Sequence, residues 1–226
     1  MKTAVIEIPA TRNLRTLIVD TSDDAPGPVL LYLHGRGEAS QSSGELPKIA
    51  FHMSPVYMAL SGAVTGVTVI APQAPHDPDD GWNWRDYVGA IGDHIKEKYA
   101  DRNVLATGFS RGGLGALQLM AAHPGLVDRW AIVDPQRAAD DAEHAALMPA
   151  ANDAANGWLR FGDAIQENTP LSRNVAENLP EDNTRFVDLD HTAIAVAAFT
   201  GDRLDGPQHF YEFLGVDFDN LKFTAP

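Results

Sequence analysis

The chain contains no cysteine among its 226 residues. A disulfide framework, a thiolate nucleophile and a cysteine-based zinc site are therefore excluded from the start. Positive charge is also scarce: 17 Lys and Arg stand against 31 Asp and Glu, for a net charge of −14. Nucleic acid and anionic membrane surfaces select a basic face, so neither is expected as a partner. Long apolar runs are missing too. The first twenty residues carry Glu7, Arg12, Asn13 and Arg15 where a secretory signal would need an unbroken apolar stretch, and no segment reaches the length of a membrane span. These absences point to a cytoplasmic protein with no metal or organic cofactor. The hydrophobic share of 44% is ordinary for a soluble protein, and the length suits one large core rather than two. A single domain over 1–226 is expected.

What is present is a pattern of strands alternating with helices. Residues 3–8 and 14–19 read as an antiparallel edge hairpin. Continuous apolar strands follow at 29–33, 67–71, 104–106 and 130–133, with further strands at 157–161 and 185–189. Helices are expected near 55–60, around 171–179, over 193–199 and near 208–214. Trp84, Tyr87, Val88, Ile91 and Ile95 mark one face of another. Such alternation predicts an α/β fold with a mainly parallel sheet and helices on both faces. The Ala/Asp-rich segment 137–156 reads as a surface excursion.

The chain is organised around residues 103–122, NVLATGFSRGGLGALQLMAA. Here Gly108-Phe109-Ser110-Arg111-Gly112 fits G-x-S-x-G between a strand and a helix. In that context the serine sits on a strained corner, with small neighbours and the helix N-terminus beside it. Ser110 is the expected nucleophile. A serine hydroxyl needs a base, a carboxylate to orient the base, and donors for an oxyanion. His191 directly follows the last strand and is the expected base. For the acid, Asp163 is placed first, after the strand 157–161, with Asp134 and Glu167 open as alternatives. The oxyanion donors are expected from the backbone N–H of Arg111 and of Arg36, in the glycine-flanked loop His34-Gly35-Arg36-Gly37. His34 reads as a structural hydrogen-bonder. Trp82 and Trp84 are expected to wall the substrate pocket. Arg36 and Arg111 together put two cations beside the oxyanion site of an acidic protein, which suggests a substrate bearing a carboxylate.

LYLHGRGE (31–38), VIAPQAP (69–75), GWNW (81–84), GFSRGGLGALQLMAAHP (108–124) and LSRNVAENL (171–179) together resemble the α/β-hydrolase superfamily. Within it the resemblance is to compact serine esterases: the phospholipase/carboxylesterase, dienelactone hydrolase and feruloyl- or acetylxylan-esterase-like groups. It covers about residues 29 to 200. It implies an α/β-hydrolase domain without a large cap, and hydrolysis of a small carboxylic ester through an acyl-enzyme on Ser110. An amide hydrolase on the same scaffold and a non-catalytic hydrolase-like binding protein are the alternatives. The chain departs from the pattern at GDAIQENTP (162–170), one residue longer than expected, and LDHTA (189–193) lacks the usual glycine before the histidine.

Overall fold

A computed structural model describes residues 1–23, 25–151, 157–162 and 169–219. Along the chain run β1 (Lys2–Ile8), β2 (Leu14–Asp20), β3 (Val29–Leu33), α1 (Pro55–Ser61), β4 (Val64–Thr65), β5 (Thr68–Gln73), α2 (Val88–Lys98), β6 (Val104–Phe109) and α3 (Arg111–Ala122). Then come β7 (Arg129–Val133), α4 (Asp141–Ala151), β8 (Gly157–Phe161), α5 (Thr169–Ala176), β9 (Thr184–Phe186), α6 (His191–Phe199), α7 (Phe210–Leu214) and β10 (Asp217–Phe218). The main sheet has the order β1-β2-β5-β3-β6-β7-β8-β9. β1, β2 and β5 pair antiparallel, and from β5 to β9 every pairing is parallel. This is the α/β architecture with helices on both faces that the alternation predicts.

The central strands are apolar without interruption because both faces are covered. β3 shows how: every residue is buried, and successive side chains go to opposite faces. Leu30 and Tyr32 pack with Met58 of α1, Phe199 of α6 and Phe210 of α7. Leu31 and Leu33 pack with Ile91 and Ile95 of α2 and Leu119 of α3. β6 at the centre is buried throughout.

Three expectations are corrected in detail. The stripe beginning at Trp84 is interrupted, because Trp84–Asp86 forms a 3₁₀ turn before α2 begins at Val88. The last parallel strand is short, ending at Phe186 rather than 189. The segment 137–156 contains a helix, α4, whose Leu147 is buried in the core shared with α3 and α5. Its composition gave too weak an apolar stripe to announce it. Among the described residues, no helix is long and apolar enough to cross a membrane.

Candidate active site

The turn from β6 into α3 places Ser110. Its backbone sits at φ 56°, ψ −119°, a region costly for any residue with a Cβ. The surrounding hydrogen bonds hold it there: Ser110 N donates to Val133 O at 3.1 Å, and Ser110 O accepts from the amides of Gly113 and Gln136. The flanking glycines are steric requirements. A Cβ on Gly108 would lie 2.2 Å from Gly112 O, and one on Gly112 would lie 1.8 Å from Leu33 O. The motif is thus a point where three pieces of backbone touch, and only this spacing of glycines lets them.

His191 opens α6 as its first residue. Asp190 caps the helix by accepting from the amides of Thr192 and Ala193 at 3.0 and 2.9 Å. The missing glycine before the histidine is explained by this: His191 stands on a capped helix terminus, where Asp190 supplies the cap. Its ring lies against Phe109, with centroids 4.4 Å apart. Its Nδ1 is 2.5 Å from Oδ2 of Asp134.

Asp134, one of the open alternatives, is thus the carboxylate that meets His191 among the described residues. Asp163 and Glu167 lie outside the described residues. Asp134 sits directly after β7, 1% exposed, with a left-handed backbone at φ 40°. Its Oδ1 accepts from Gly162 N at 3.3 Å, and its own amide donates to Arg160 O. A carboxylate so buried is held by the strand end on each side, with one oxygen for the backbone and one for the imidazole. The sequence signal was its place at the end of the strand following the nucleophile helix.

Ser110 and His191 line one cleft of about 300 Å³, together with Gly35, Arg36, Gly37, Glu38, His52, Phe109, Arg111, Gln136 and Thr192. With Nδ1 engaged by Asp134, Nε2 is the imidazole nitrogen left to serve the cleft. The loop after β3 forms the opposite wall, and buried polar groups fix it. His34 is fully buried; its Nε2 accepts from Ala74 N at 3.0 Å, which leaves the proton on Nδ1 to donate to Gly35 O at 2.6 Å. Burial lowers its pKa to about 4, so it is a neutral strut. Glu38, 1% exposed, accepts from Gly35 N at 2.7 Å and from the Tyr32 hydroxyl at 3.1 Å. Burial pushes its carboxyl up to about 8, against the downward pull of those two hydrogen bonds. Sequence reasoning passed over Glu38 and Gln136, because a single Glu or Gln in a loop carries no pattern.

The tryptophans stand elsewhere than expected. Trp84 is fully buried, donates from Nε1 to His34 O and packs against Gly115 of α3. Trp82, 4% exposed, lies under Arg111, whose guanidinium carbon is 4.7 Å from its ring centre. Both support the cleft from the core rather than walling it. The two arginines also differ. Arg36 reaches outward to Asp79 at 2.9 Å and to Pro78 O. Arg111 stays in the cleft, donating from Nε to Gln136 Oε1 at 3.0 Å.

No protein-family model matches the chain, and no curated protein matches it. Solved structures do. A thermostable esterase superposes with a TM-score of 0.63 at 14% identity, over 95% of this chain; the chain spans 63% of that esterase's length. A lidless α/β serine hydrolase from Xanthomonas campestris gives 0.55 at 16% identity, over 85% of this chain and 87% of its own. An S-formylglutathione hydrolase from Agrobacterium tumefaciens gives 0.57 at 14% identity, over 87% and 91%. The fold is that of the α/β hydrolases. In that fold the strand-to-helix corner after the central strand is where a nucleophile is presented, and here that corner holds Ser110.

Proposed function

We propose that this α/β-hydrolase-fold protein is a serine esterase acting on small carboxylic esters. The observation that carries the reading is the contact between His191 Nδ1 and the buried Asp134, with His191 and Ser110 in one cleft. In the proposed cycle Ser110 Oγ attacks the ester carbonyl and passes its proton to His191 Nε2. Asp134 orients the ring and stabilises the imidazolium. The backbone N–H of Arg111, and that of Arg36 in the loop braced by Glu38 and His34, are assigned to the tetrahedral oxyanion. When the carbon–oxygen bond breaks, the leaving alkoxide takes the proton from His191. Water then adds to the acyl-enzyme by the same route and releases the acid.

Two details of the structure suit this chemistry. The strained turn places Ser110 at the N-cap of α3, where unpaired N–H groups and the helix dipole favour negative charge. The neutral state of His34 keeps an extra cation out of the cleft wall. The single-domain reading of this stretch and a cytoplasmic location belong to the same proposal; one eight-stranded sheet among the described residues supports the first, and the lack of cysteine supports the second. The test is labelling with a fluorophosphonate, with the modified residue located by mass spectrometry, alongside turnover of p-nitrophenyl esters. Stoichiometric modification at Ser110 is expected. A folded protein that neither labels nor turns over esters would remove the esterase reading.

A further inference from the structure

Among the described residues, the cleft holds a cation with no anion to answer it. Three described carboxyls and two guanidiniums bear on this region, and of these charges all but one are accounted for. Asp134 is taken by His191. Glu38 is buried on Tyr32 and Gly35 N. Asp79 pairs with Arg36, out at the surface where their side chains are 89% and 58% exposed. Arg111 remains. Among the described residues it meets no carboxylate, its one hydrogen-bonded partner is the neutral Gln136, and its Nη1 is buried without an acceptor. Burial and the like charge of Arg36 hold its guanidinium below the usual arginine range. A protein with a net charge of −14 has many carboxylates with which to neutralise an arginine. Leaving this one half-buried and unpaired costs stability, and such costs concentrate where a ligand relieves them.

The side chain is also held in place. Nε is fixed on Gln136, whose own amide donates to Ser110 O at 2.8 Å, and the guanidinium plane rests on Trp82. That arrangement leaves the remaining guanidinium N–H groups to an incoming acceptor, with little rotamer freedom to lose on binding. Arg111 directly follows the proposed nucleophile and lines the same cleft, so an acceptor on a substrate bound there can meet it. We propose that Arg111 is a specificity residue that binds a carboxylate carried by the substrate itself, so that the preferred esters are anionic, with the carboxylate a short chain away from the ester group. The inference rests on the esterase reading for its reaction but on Arg111 alone for its substrate class.

Two matched pairs of esters test it: mono-p-nitrophenyl succinate against p-nitrophenyl butyrate for a carboxylate on the acyl side, and 4-acetoxybenzoate against phenyl acetate for one on the alcohol side. The quantity read is the ratio of kcat/KM within each pair, in which any effect on shared machinery cancels. The intact protein is expected to favour the anionic member of one pair. Arg111→Met should lower that ratio by about 10- to 100-fold, the range for losing a charge-assisted hydrogen bond, while Arg36→Met lowers it by no more than about threefold. Arg111→Lys should restore part of the ratio. Unchanged ratios in both pairs for a folded Arg111→Met, or an equal loss with Arg36→Met, would overturn the proposal. A protein that fails to hydrolyse any of the four esters still gives an answer. Calorimetric titration of Ser110→Ala with monomethyl succinate and with methyl butyrate should show binding of the anion only, abolished by adding Arg111→Met. Absence of that binding overturns the carboxylate site, whereas its presence without turnover overturns only the esterase reading.

Discussion

Two clefts lie at opposite ends of β6, and the smaller is the one proposed to carry the chemistry. At the Val104 end a depression of about 530 Å³ is lined by residues including Ile95, Lys96, Tyr99, Arg102 and Asp128. At the Phe109 end the Ser110 cleft measures about 300 Å³. In the first, three of the charged side chains have hydrogen-bond partners close by. Arg102 donates to Gly27 O, Pro28 O and Thr68 Oγ1, Lys96 Nζ contacts His123 Nδ1, and Asp128 accepts from Val104 N. The second cleft carries costs. Ser110 and His52 in its lining, and Asp134 behind His191, have positive φ; Glu38 and His34 are buried titratable groups with shifted pKa values. Backbone strain and buried titratable groups persist only where the surroundings hold them, and their gathering here makes the smaller cleft the stronger candidate.

The largest effect is expected from removing the proposed nucleophile. Ser110→Ala should lower kcat/KM for p-nitrophenyl acetate by at least ~10⁴-fold and abolish fluorophosphonate labelling, with the melting temperature little changed because alanine keeps the Cβ at this strained φ, ψ. Next in size is the acid. Asp134→Asn keeps the shape but offers His191 Nδ1 a neutral partner, and a loss of roughly 10³–10⁴-fold in kcat is expected with KM little changed. Asp163→Asn, made in parallel, should cost less than about tenfold. The reverse ranking in steady-state kinetics would return the acid role to the first-placed residue.

How much of this was legible follows from distance along the chain. The elbow could be read because every constraint on it is local: the glycine contacts at 108 and 112 arise within a few residues and the adjoining strand. His191 could be read from its place after the last strand, although its position as the first residue of α6 depends on the cap at Asp190. The acid could not be chosen from sequence. Asp134 and Asp163 both follow parallel strands, and the choice depends on which strand end faces α6, a matter of sheet register and helix packing. The tryptophans were misplaced for a related reason. An aromatic pair in a loop reads as a pocket wall, but Trp84 finds its N–H acceptor at His34 O in the core, and Trp82 finds a cation above it. The helix at 141–151 was missed because an Ala-rich stretch with Pro149 shows little periodic contrast.

A smaller effect sharpens the contrast through pH. The Glu38 carboxyl titrates near 8 in the fold against an ordinary value of 4.5. Between those values the unfolded chain releases a proton that the folded protein keeps, so folded stability contributed by this group falls as pH rises from about 5 to 8 and levels off above. Glu38→Gln keeps an acceptor for Gly35 N without the ionisation. Its stability should therefore decline less than that of the parent over this window, with a difference on the order of 1–3 kcal/mol, readable from urea unfolding at pH 5 and pH 8.5. Parallel curves for the two proteins would show that Glu38 is ionised throughout. Glu38→Ala also removes the brace on the oxyanion loop and should reduce kcat by roughly 10- to 100-fold more than Gln does.

The smallest effect belongs to the other end of β6. Asp128 Oδ2 accepts from Val104 N at 2.7 Å, fastening the start of the central strand. Asp128→Ala strips that acceptor and should cost about 1–2 kcal/mol in unfolding free energy. Ester turnover should stay within about twofold, because the strand's far end is independently locked by Gly108, Gly112 and the hydrogen bonds around Ser110. If turnover instead fell with stability, the register of β6 would be transmitting the loss across its six residues. The two clefts would then be coupled through one strand, and the larger one would have to be counted as part of the machinery.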